Sequence, residues 1–253
     1  MKGEIELNNE HKRKKQRIKK ALIVVFILPL ILICTFLIYA ANYYHADSKA
    51  NDSMISDDIV KISKSEYGWM FDGPSDNDLL IFYPGAKVEA TSYSPILHEL
   101  ASREMDVYLV KMPFNFAFFG INKADDVIEQ SKYENYYIGG HSLGGAMAAN
   151  YAAENNNKVK GVVLFAAYPA KQLPDNLIEI SIYGTEDKVL NNEKYIEGKN
   201  FSSNNLKELI IEGGNHAQFG NYGLQKGDGA ALITSDEQQI SSIDFIIDSI
   251  KSK

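Results

Sequence analysis

Ser142 stands among four glycines in the stretch YYIGGHSLGGAMAANYAAE, which runs from position 136 to position 154. Residues 140–144 match G-x-S-x-G, a pattern in which the serine occupies a strained turn between a strand and a helix. Glycines on both sides let strand and helix approach closely and leave the hydroxyl accessible. Leu143 opens the predicted helix, so its backbone N–H is free to stabilise negative charge. The pattern predicts a nucleophilic serine with Leu143 in an oxyanion hole; an ordinary glycine-rich connection is the alternative.

Two further polar side chains follow apolar runs that are typical of strands. Asp187 comes directly after LIEISIYG, and His216 lies in EGGNHAQFG after LKELII. A histidine in a glycine-rich loop suits a general base, and a short carboxylate suits a fixed bond to an imidazole. Glu186 is a neighbouring candidate for the acid, while His141 is expected to point away from the site. The alternatives are a helix cap for Asp187 and a solvated side chain for His216. The chain order serine, aspartate, histidine predicts a catalytic triad.

The loop after the run LLIFY is a candidate for a second oxyanion donor. It reads PGAK and ends at Lys87. Acyl transfer needs a backbone N–H from an early loop of this kind, and the Ala86 N–H is the predicted donor. Lys87 is a weaker candidate, and a plain turn is the alternative.

Four phenylalanines occur in MPFNFAFFG, which follows the apolar run DVYLVK. This segment is too apolar for an ordinary exposed loop. We interpret it as the lining of a pocket for an acyl or aromatic substrate; the alternative is that the rings pack the fold. The candidate pocket residues are Phe114, Phe116, Phe118, Phe119 and Lys87.

Short apolar runs alternate with helical segments from Glu66 onwards. This alternation predicts βαβ units and an α/β fold, a mostly parallel doubly wound sheet with helices on both faces and ligands beyond the carboxyl ends of the strands. EYGWMF and DLLIFY, separated by the turn-rich DGPSDN, are predicted to form a hairpin. A final amphipathic helix is predicted over about residues 235–251.

The chain from about residue 66 to residue 250 resembles the α/β-hydrolase superfamily, and within it the compact lidless branch related to dienelactone-hydrolase-like enzymes. The segments that carry the resemblance are FYPGAKVEATSY, LVKMPFNFAFFG, GGHSLGGAMAANYAAE, SIYGTEDKV and EGGNHAQFGNYG. About twenty residues separate the ends of VVLFAAY and LIEISIYG, which leaves no room for a lid between them.

The resemblance implies the α/β-hydrolase fold and a role for each matching residue. Ser142 is the implied nucleophile, Asp187 the orienting acid and His216 the base, with Leu143 and Ala86 giving the oxyanion hole. Dienelactone hydrolases have a cysteine where this chain has Ser142, so their substrate is not implied.

The N-terminal 41 residues predict a membrane anchor. HKRKKQRIKK precedes ALIVVFILPLILICTFLIYAA, and no Asp, Glu, Lys or Arg occurs from Ala21 through Tyr44. A helix over residues 21–41 spans roughly 31 Å, about one bilayer core. The basic cluster favours a cytoplasmic N-terminus and an outward-facing domain. The alternative is a cleaved signal peptide that releases a secreted domain. The predicted parts are a basic tail (1–20), a transmembrane helix (21–41), a polar linker (42–65) and the hydrolase domain (66–253).

These features predict a membrane-anchored serine hydrolase that cleaves a carboxylic ester or similar acyl bond through an acyl-enzyme. Its expected partners are a small-molecule ester and the lipid bilayer, with no metal and no organic cofactor; the sequence carries no indication of the oligomeric state. Because Lys and Arg are concentrated before position 21, the rest of the chain is more acidic than the overall net charge of −7, which argues against nucleic acid. An acyltransferase or peptidase with the same triad and a non-catalytic binding module are the alternatives.

Overall fold

The computed structural model describes residues 2–252, and the chain divides into two units, of which the second begins at Tyr43. The first unit is helical from Lys2 to Ala41: α1 (Lys2–Leu22), a π-helical stretch (Ile23–Ile27) and α2 (Leu28–Ala41). Pro29 lies in the first turn of α2. In a regular α-helix a proline ring clashes with the carbonyl four residues earlier, and here that carbonyl belongs to the π-helical stretch, which is wider. Leu7–Ala41 is long and apolar enough to cross a membrane, a property shared by membrane anchors and signal sequences.

The second unit is built on one eight-stranded sheet with the order β1-β2-β4-β3-β5-β6-β7-β8. The strands are β1 (Lys61–Lys64), β2 (Gly68–Asp72), β3 (Asp78–Tyr83), β4 (Asp106–Val110), β5 (Asn135–His141), β6 (Gly161–Phe165), β7 (Ile178–Gly184) and β8 (Asn205–Ile211). β3 to β8 run parallel, whereas β1 and β2 pair antiparallel. The prediction of a mostly parallel α/β sheet is confirmed.

The predicted hairpin between the first two apolar runs is wrong. β2 pairs with β4 in the register Gly68 to Val110, and β3 pairs with the other edge of β4. The turn-rich hexapeptide therefore connects two strands that are separated by a third. A parallel partner for β3 requires a crossover, and the helix between β3 and β4 supplies it.

Helices cover both faces of the sheet. The remaining helices are α3 (Ser48–Asp52), α4 (Ser94–Arg103), α5 (Lys123–Gln130), α6 (Leu143–Glu154), α7 (Asn192–Gly198) and α8 (Ser235–Lys251). One core joins α4 and α8 to the face that carries Leu80 and Phe82 of β3, and a second core joins α5 and α6 to the face that carries Leu79 and Ile81. This alternation along β3 is expected for a strand that is covered on both sides. Residues 166–177, between β6 and β7, contain no helix.

The segment predicted as a linker, residues 42–65, is structured from Tyr43 onwards. α3 and β1 both lie in this segment, and Ala50 and Val60 are fully buried. The side chains of β1 itself are largely exposed because β1 is an edge strand of the sheet. A polar composition with only two buried apolar positions explains why the sequence pattern resembles a linker.

Asp106 is a buried carboxylate at the amino end of β4. Its two oxygens accept hydrogen bonds from the Gly73 N–H at 2.8 Å and from the Tyr133 hydroxyl at 2.6 Å. Burial raises the pKa of Asp106 from 3.8 to about 6. The folded protein therefore binds a proton more tightly than the unfolded chain, so this carboxyl favours folding below about pH 4 and loses that contribution as the pH rises to about 6.

We expect Asp106→Asn to become more stable relative to the native chain as the pH rises from 4 to 7. The asparagine cannot ionise, so the penalty of the buried charge, on the order of 1–2 kcal/mol, is absent. Urea unfolding of the full chain in detergent micelles at both pH values measures the difference in free energy of unfolding. If the variant and the native chain differed equally in free energy of unfolding at pH 4 and pH 7, the raised pKa of Asp106 would be contradicted.

Candidate active site

Ser142 lies in a strained turn between β5 and α6. Its backbone angles are φ 54° and ψ −122°, a combination that is rare for a residue with a side chain. The Ser142 N–H donates to the Phe165 carbonyl at 2.9 Å, and the Ser142 carbonyl accepts from the Ala146 N–H at 3.0 Å. A Cβ at Gly140 or Gly144 would lie 2.4 Å and 2.1 Å, respectively, from the Tyr83 carbonyl oxygen. The two glycines of the motif therefore allow the contact between α6 and β3 that holds the turn.

Asp187 and His216 meet in a buried pair at the carboxyl ends of β7 and β8. His216 Nδ1 lies 2.7 Å from Asp187 Oδ2, and both side chains are almost completely buried. Asp187 Oδ1 accepts the backbone N–H groups of Val189 at 2.8 Å and Leu190 at 2.7 Å. These two bonds fix the carboxylate, so its other oxygen fixes the orientation of the imidazole. Glu186, the other acidic candidate, faces Lys188 at 3.8 Å.

The second nitrogen of His216 is unbonded. His216 Nε2 is buried and has no hydrogen-bond partner among residues 2–252, which include Ser142. Ser142 is half-buried at the end of β5, directly after His141, whose ring lies 4.4 Å from the ring of His216. The structure therefore brings the three predicted catalytic residues to one edge of the sheet, and it bonds two of them directly.

The predicted oxyanion donors lie at the same edge. Neither the Ala86 N–H nor the Leu143 N–H has a hydrogen-bond acceptor within the described part of the chain, and Leu143 is the first residue of α6. Lys87 follows with φ 58°, and its N–H donates to the Asn115 carbonyl at 2.9 Å. This bond ties the loop after β3 to the phenylalanine-containing loop after β4. Because this bond occupies the Lys87 N–H, that group is not available to stabilise an oxyanion.

His141 does not point away from the site, contrary to the sequence-based expectation. Its ring packs against His216, and its Nδ1 lies 2.8 Å from the hydroxyl of Tyr93. Burial, and secondarily the charge of His216, lowers the pKa of His141 well below its usual range. The imidazole is therefore neutral at neutral pH, so it adds no positive charge beside His216. The sequence offers no signal for this contact, since it depends on the direction of one side chain within the turn.

Tyr93 connects His141 to the loop after β3. The Gly85 N–H donates to the Tyr93 hydroxyl at 3.1 Å, which leaves the hydroxyl proton for His141 Nδ1. Burial raises the pKa of Tyr93, so the hydroxyl stays protonated. A Cβ at Gly85 would lie 2.7 Å from this hydroxyl and 2.9 Å from His141 Nδ1, so glycine is required at the position next to Ala86.

The four phenylalanines lie in the loop that follows β4. Phe114, Phe118 and Phe119 are exposed, and Phe116 is half-buried. The ring of Phe119 contacts the rings of the other three at centroid distances of 5.5 to 6.5 Å. The rings thus form a surface cluster and take no part in the two buried cores. Within the described residues, no group of three or more His, Cys, Asp or Glu side chains could hold a metal ion.

We expect Tyr93→Phe to lower both stability and turnover. The substitution leaves the buried Gly85 N–H and His141 Nδ1 without partners, at a cost of about 1–3 kcal/mol in the free energy of unfolding. Turnover of an ester should fall through kcat, because the loop that carries Ala86 loses its support. Tyr195→Phe is the matched control: this buried hydroxyl bonds Ser181 and Glu208, so its loss should destabilise the protein without a selective effect on kcat. Equal kcat values for the two variants would contradict the role of Tyr93.

Comparisons with known proteins agree with this fold. The structure is similar to a predicted CIB-like hydrolase from Thermoplasma acidophilum (TM-score 0.58, 14% identity, covering 75% of this chain and 99% of that one). It is also similar to a putative lipase from Acinetobacter baumannii (TM-score 0.54, 13% identity, 81% and 95%). A bacterial membrane phospholipase A gives a TM-score of 0.58 at 10% identity and covers 97% of this chain and 100% of its own.

These structural similarities, all at low identity, show the fold alone. No curated protein sequence matches this chain. Residues 79–240, which include the strained serine and the buried aspartate–histidine pair, match the alpha/beta hydrolase family. The chain therefore belongs to the alpha/beta hydrolase family.

Proposed function

We propose that the chain is a serine hydrolase that cleaves a carboxylic ester through a Ser142–His216–Asp187 triad. The observation that carries the proposal is the buried His216: its Nδ1 is held by Asp187 at 2.7 Å, while its Nε2 has no partner in the described part of the chain. An imidazole with one nitrogen fixed by a carboxylate and the other unbonded, at the same edge of the sheet as a strained serine, is the arrangement that supports general-base activation of a hydroxyl.

The chemistry follows from these positions. His216 Nε2 takes the proton of the Ser142 hydroxyl as Oγ attacks the ester carbonyl, and the Ala86 and Leu143 N–H groups stabilise the oxyanion. Collapse of this intermediate expels the alcohol, which takes the proton from His216. Water, deprotonated by the same nitrogen, then releases the acid and regenerates the serine. Each oxyanion donor contributes roughly 2.7–4 kcal/mol to transition-state stabilisation.

The N-terminal helix supports a membrane location for this hydrolase. The basic residues 12–20 precede the apolar stretch, so the proposed orientation has a cytoplasmic N-terminus and an extracytoplasmic hydrolase domain. The fold neighbours include a putative lipase and a membrane phospholipase A, which is in keeping with an ester substrate.

We expect Ser142→Ala to abolish turnover of p-nitrophenyl esters by the full chain in detergent micelles, a loss on the order of 10⁶-fold in kcat. Asp187→Asn should lower kcat by about 10⁴-fold, because the amide no longer holds the correct tautomer of His216. The chain offers a matched control in Glu186→Gln, since Glu186 faces Lys188 and should leave turnover unchanged. Steady-state rates over short and long acyl chains measure all three effects.

Different failures of this experiment point to different functions. A folded native chain that forms an acyl-enzyme but releases no acid would indicate an acyltransferase. Turnover of peptides in place of esters would indicate a peptidase. Turnover that survives Ser142→Ala would contradict the triad itself.

A further inference from the structure

The loop after β4 exposes a cluster of aromatic rings, which we call the phenylalanine patch: Phe114, Phe116, Phe118 and Phe119. Phe114, Phe118 and Phe119 expose 53%, 66% and 49% of their surfaces, respectively. Contiguous exposed apolar surface of this kind marks an interaction site, because burying each ring would be favourable. No charged residue occurs between Lys111 and Lys123, and both of these lysines flank the patch.

Tyr44 connects the patch to the end of the apolar helix. The Tyr44 N–H donates to the Lys87 carbonyl at 2.8 Å, and the Tyr44 carbonyl accepts from the Glu89 N–H at 2.8 Å. The Lys87 N–H in turn donates to the Asn115 carbonyl at 2.9 Å, in the middle of the patch. The tyrosine hydroxyl also accepts from the Lys226 N–H at 3.0 Å, so this point of the chain is fixed to the domain on two sides.

The covalent chain sets the distance between this point and the membrane. α2 ends at Ala41, three residues before Tyr44. Three residues span at most about 11 Å when fully extended. With the apolar helix in a bilayer, Tyr44 lies near the bilayer surface whatever the direction of the helix axis. The loop after β3 is hydrogen-bonded to Tyr44, and the patch is hydrogen-bonded to that loop. Both therefore share the location of Tyr44.

From these contacts we infer that the phenylalanine patch docks on the bilayer that holds the apolar helix, and that the site accepts acyl esters presented by lipids at that surface. The inference rests on the proposed hydrolase function and on the anchoring role of the helix. Aromatic rings flanked by lysines match the chemistry of the lipid interface, where rings enter the headgroup region and ammonium groups meet phosphates. The loop that carries Ala86 lies against the patch, so an ester drawn from the surface reaches the oxyanion donors directly.

The docking test uses the full chain in phosphatidylcholine–phosphatidylglycerol vesicles with spin labels at single cysteines. Cys34→Ser removes the native thiol, and Phe118→Cys or Ile59→Cys supplies the labelling site. Ile59 is the matched control: it is 57% exposed and precedes the start of β1, which lies at the amino end of β4, whereas the patch follows the carboxyl end of β4. We expect the label at position 118 to be accessible to oxygen and protected from a water-soluble nickel complex, and the label at position 59 to show the reverse. Equal accessibility of both labels to the nickel complex would overturn docking.

The substrate test compares turnover of a long-chain ester embedded in the vesicles with turnover of soluble p-nitrophenyl acetate. Phe114→Ser combined with Phe118→Ser should lower the ratio of embedded to soluble turnover by about tenfold or more, whereas Ile59→Ser should leave the ratio unchanged. A native ratio in the phenylalanine variant would overturn the lipid-substrate inference while leaving the hydrolase proposal intact. Absence of turnover on both esters in the native chain would overturn the hydrolase proposal, and the spin labels would still decide docking.

Discussion

The close approach of α6 to the ends of β3 and β5 is the constraint on which the rest of the site depends. It exists because positions 140 and 144 have no Cβ to collide with the Tyr83 carbonyl. The contact forces the left-handed backbone of Ser142, and it sets the first N–H of α6 beside the loop after β3. Local strain of this kind, about 1–3 kcal/mol per residue, persists only where packing on all sides determines it, and here two buried cores surround the turn.

Buried polar groups at this edge form one connected arrangement that links His216 to the loop after β3. His141 lies between His216 and Tyr93, and Tyr93 supports the Gly85 N–H. A neutral His141 suits the proposed role of His216 as a general base, because a second positive charge beside His216 would oppose uptake of a proton. On the other side of His216, the Asp187 carboxylate accepts two backbone N–H groups and contacts the imidazole. The surroundings of His216 thus include groups beyond the three predicted catalytic residues.

The sequence predicted the parts of the fold that local patterns determine. The alternation of apolar runs and helices gave the parallel sheet, and the final helix ends as expected at Lys251. The insertion of β4 between β2 and β3 was not predictable, because strand order depends on contacts between distant segments. The strand ends carrying Ser142, Asp187 and His216 were evident from residue type and order. The contact of His141 with His216 and the exposure of the phenylalanines depend on side-chain directions that no local pattern specifies.

The position of β1 at the sheet edge bears on whether proteolysis can release the folded domain intact from the N-terminal helix. Proteases cut exposed, flexible segments, and a long stalk before Glu66 would offer many such bonds. Instead, only two residues separate the end of α2 from the bridge at Tyr44, and residues 43–65 contribute a helix and an edge strand. A cut within α3 or β1 would uncover β2, with its apolar Trp69 and Phe71, as a new edge prone to aggregation. The intact fold therefore disfavours proteolytic separation of the folded domain from the N-terminal helix.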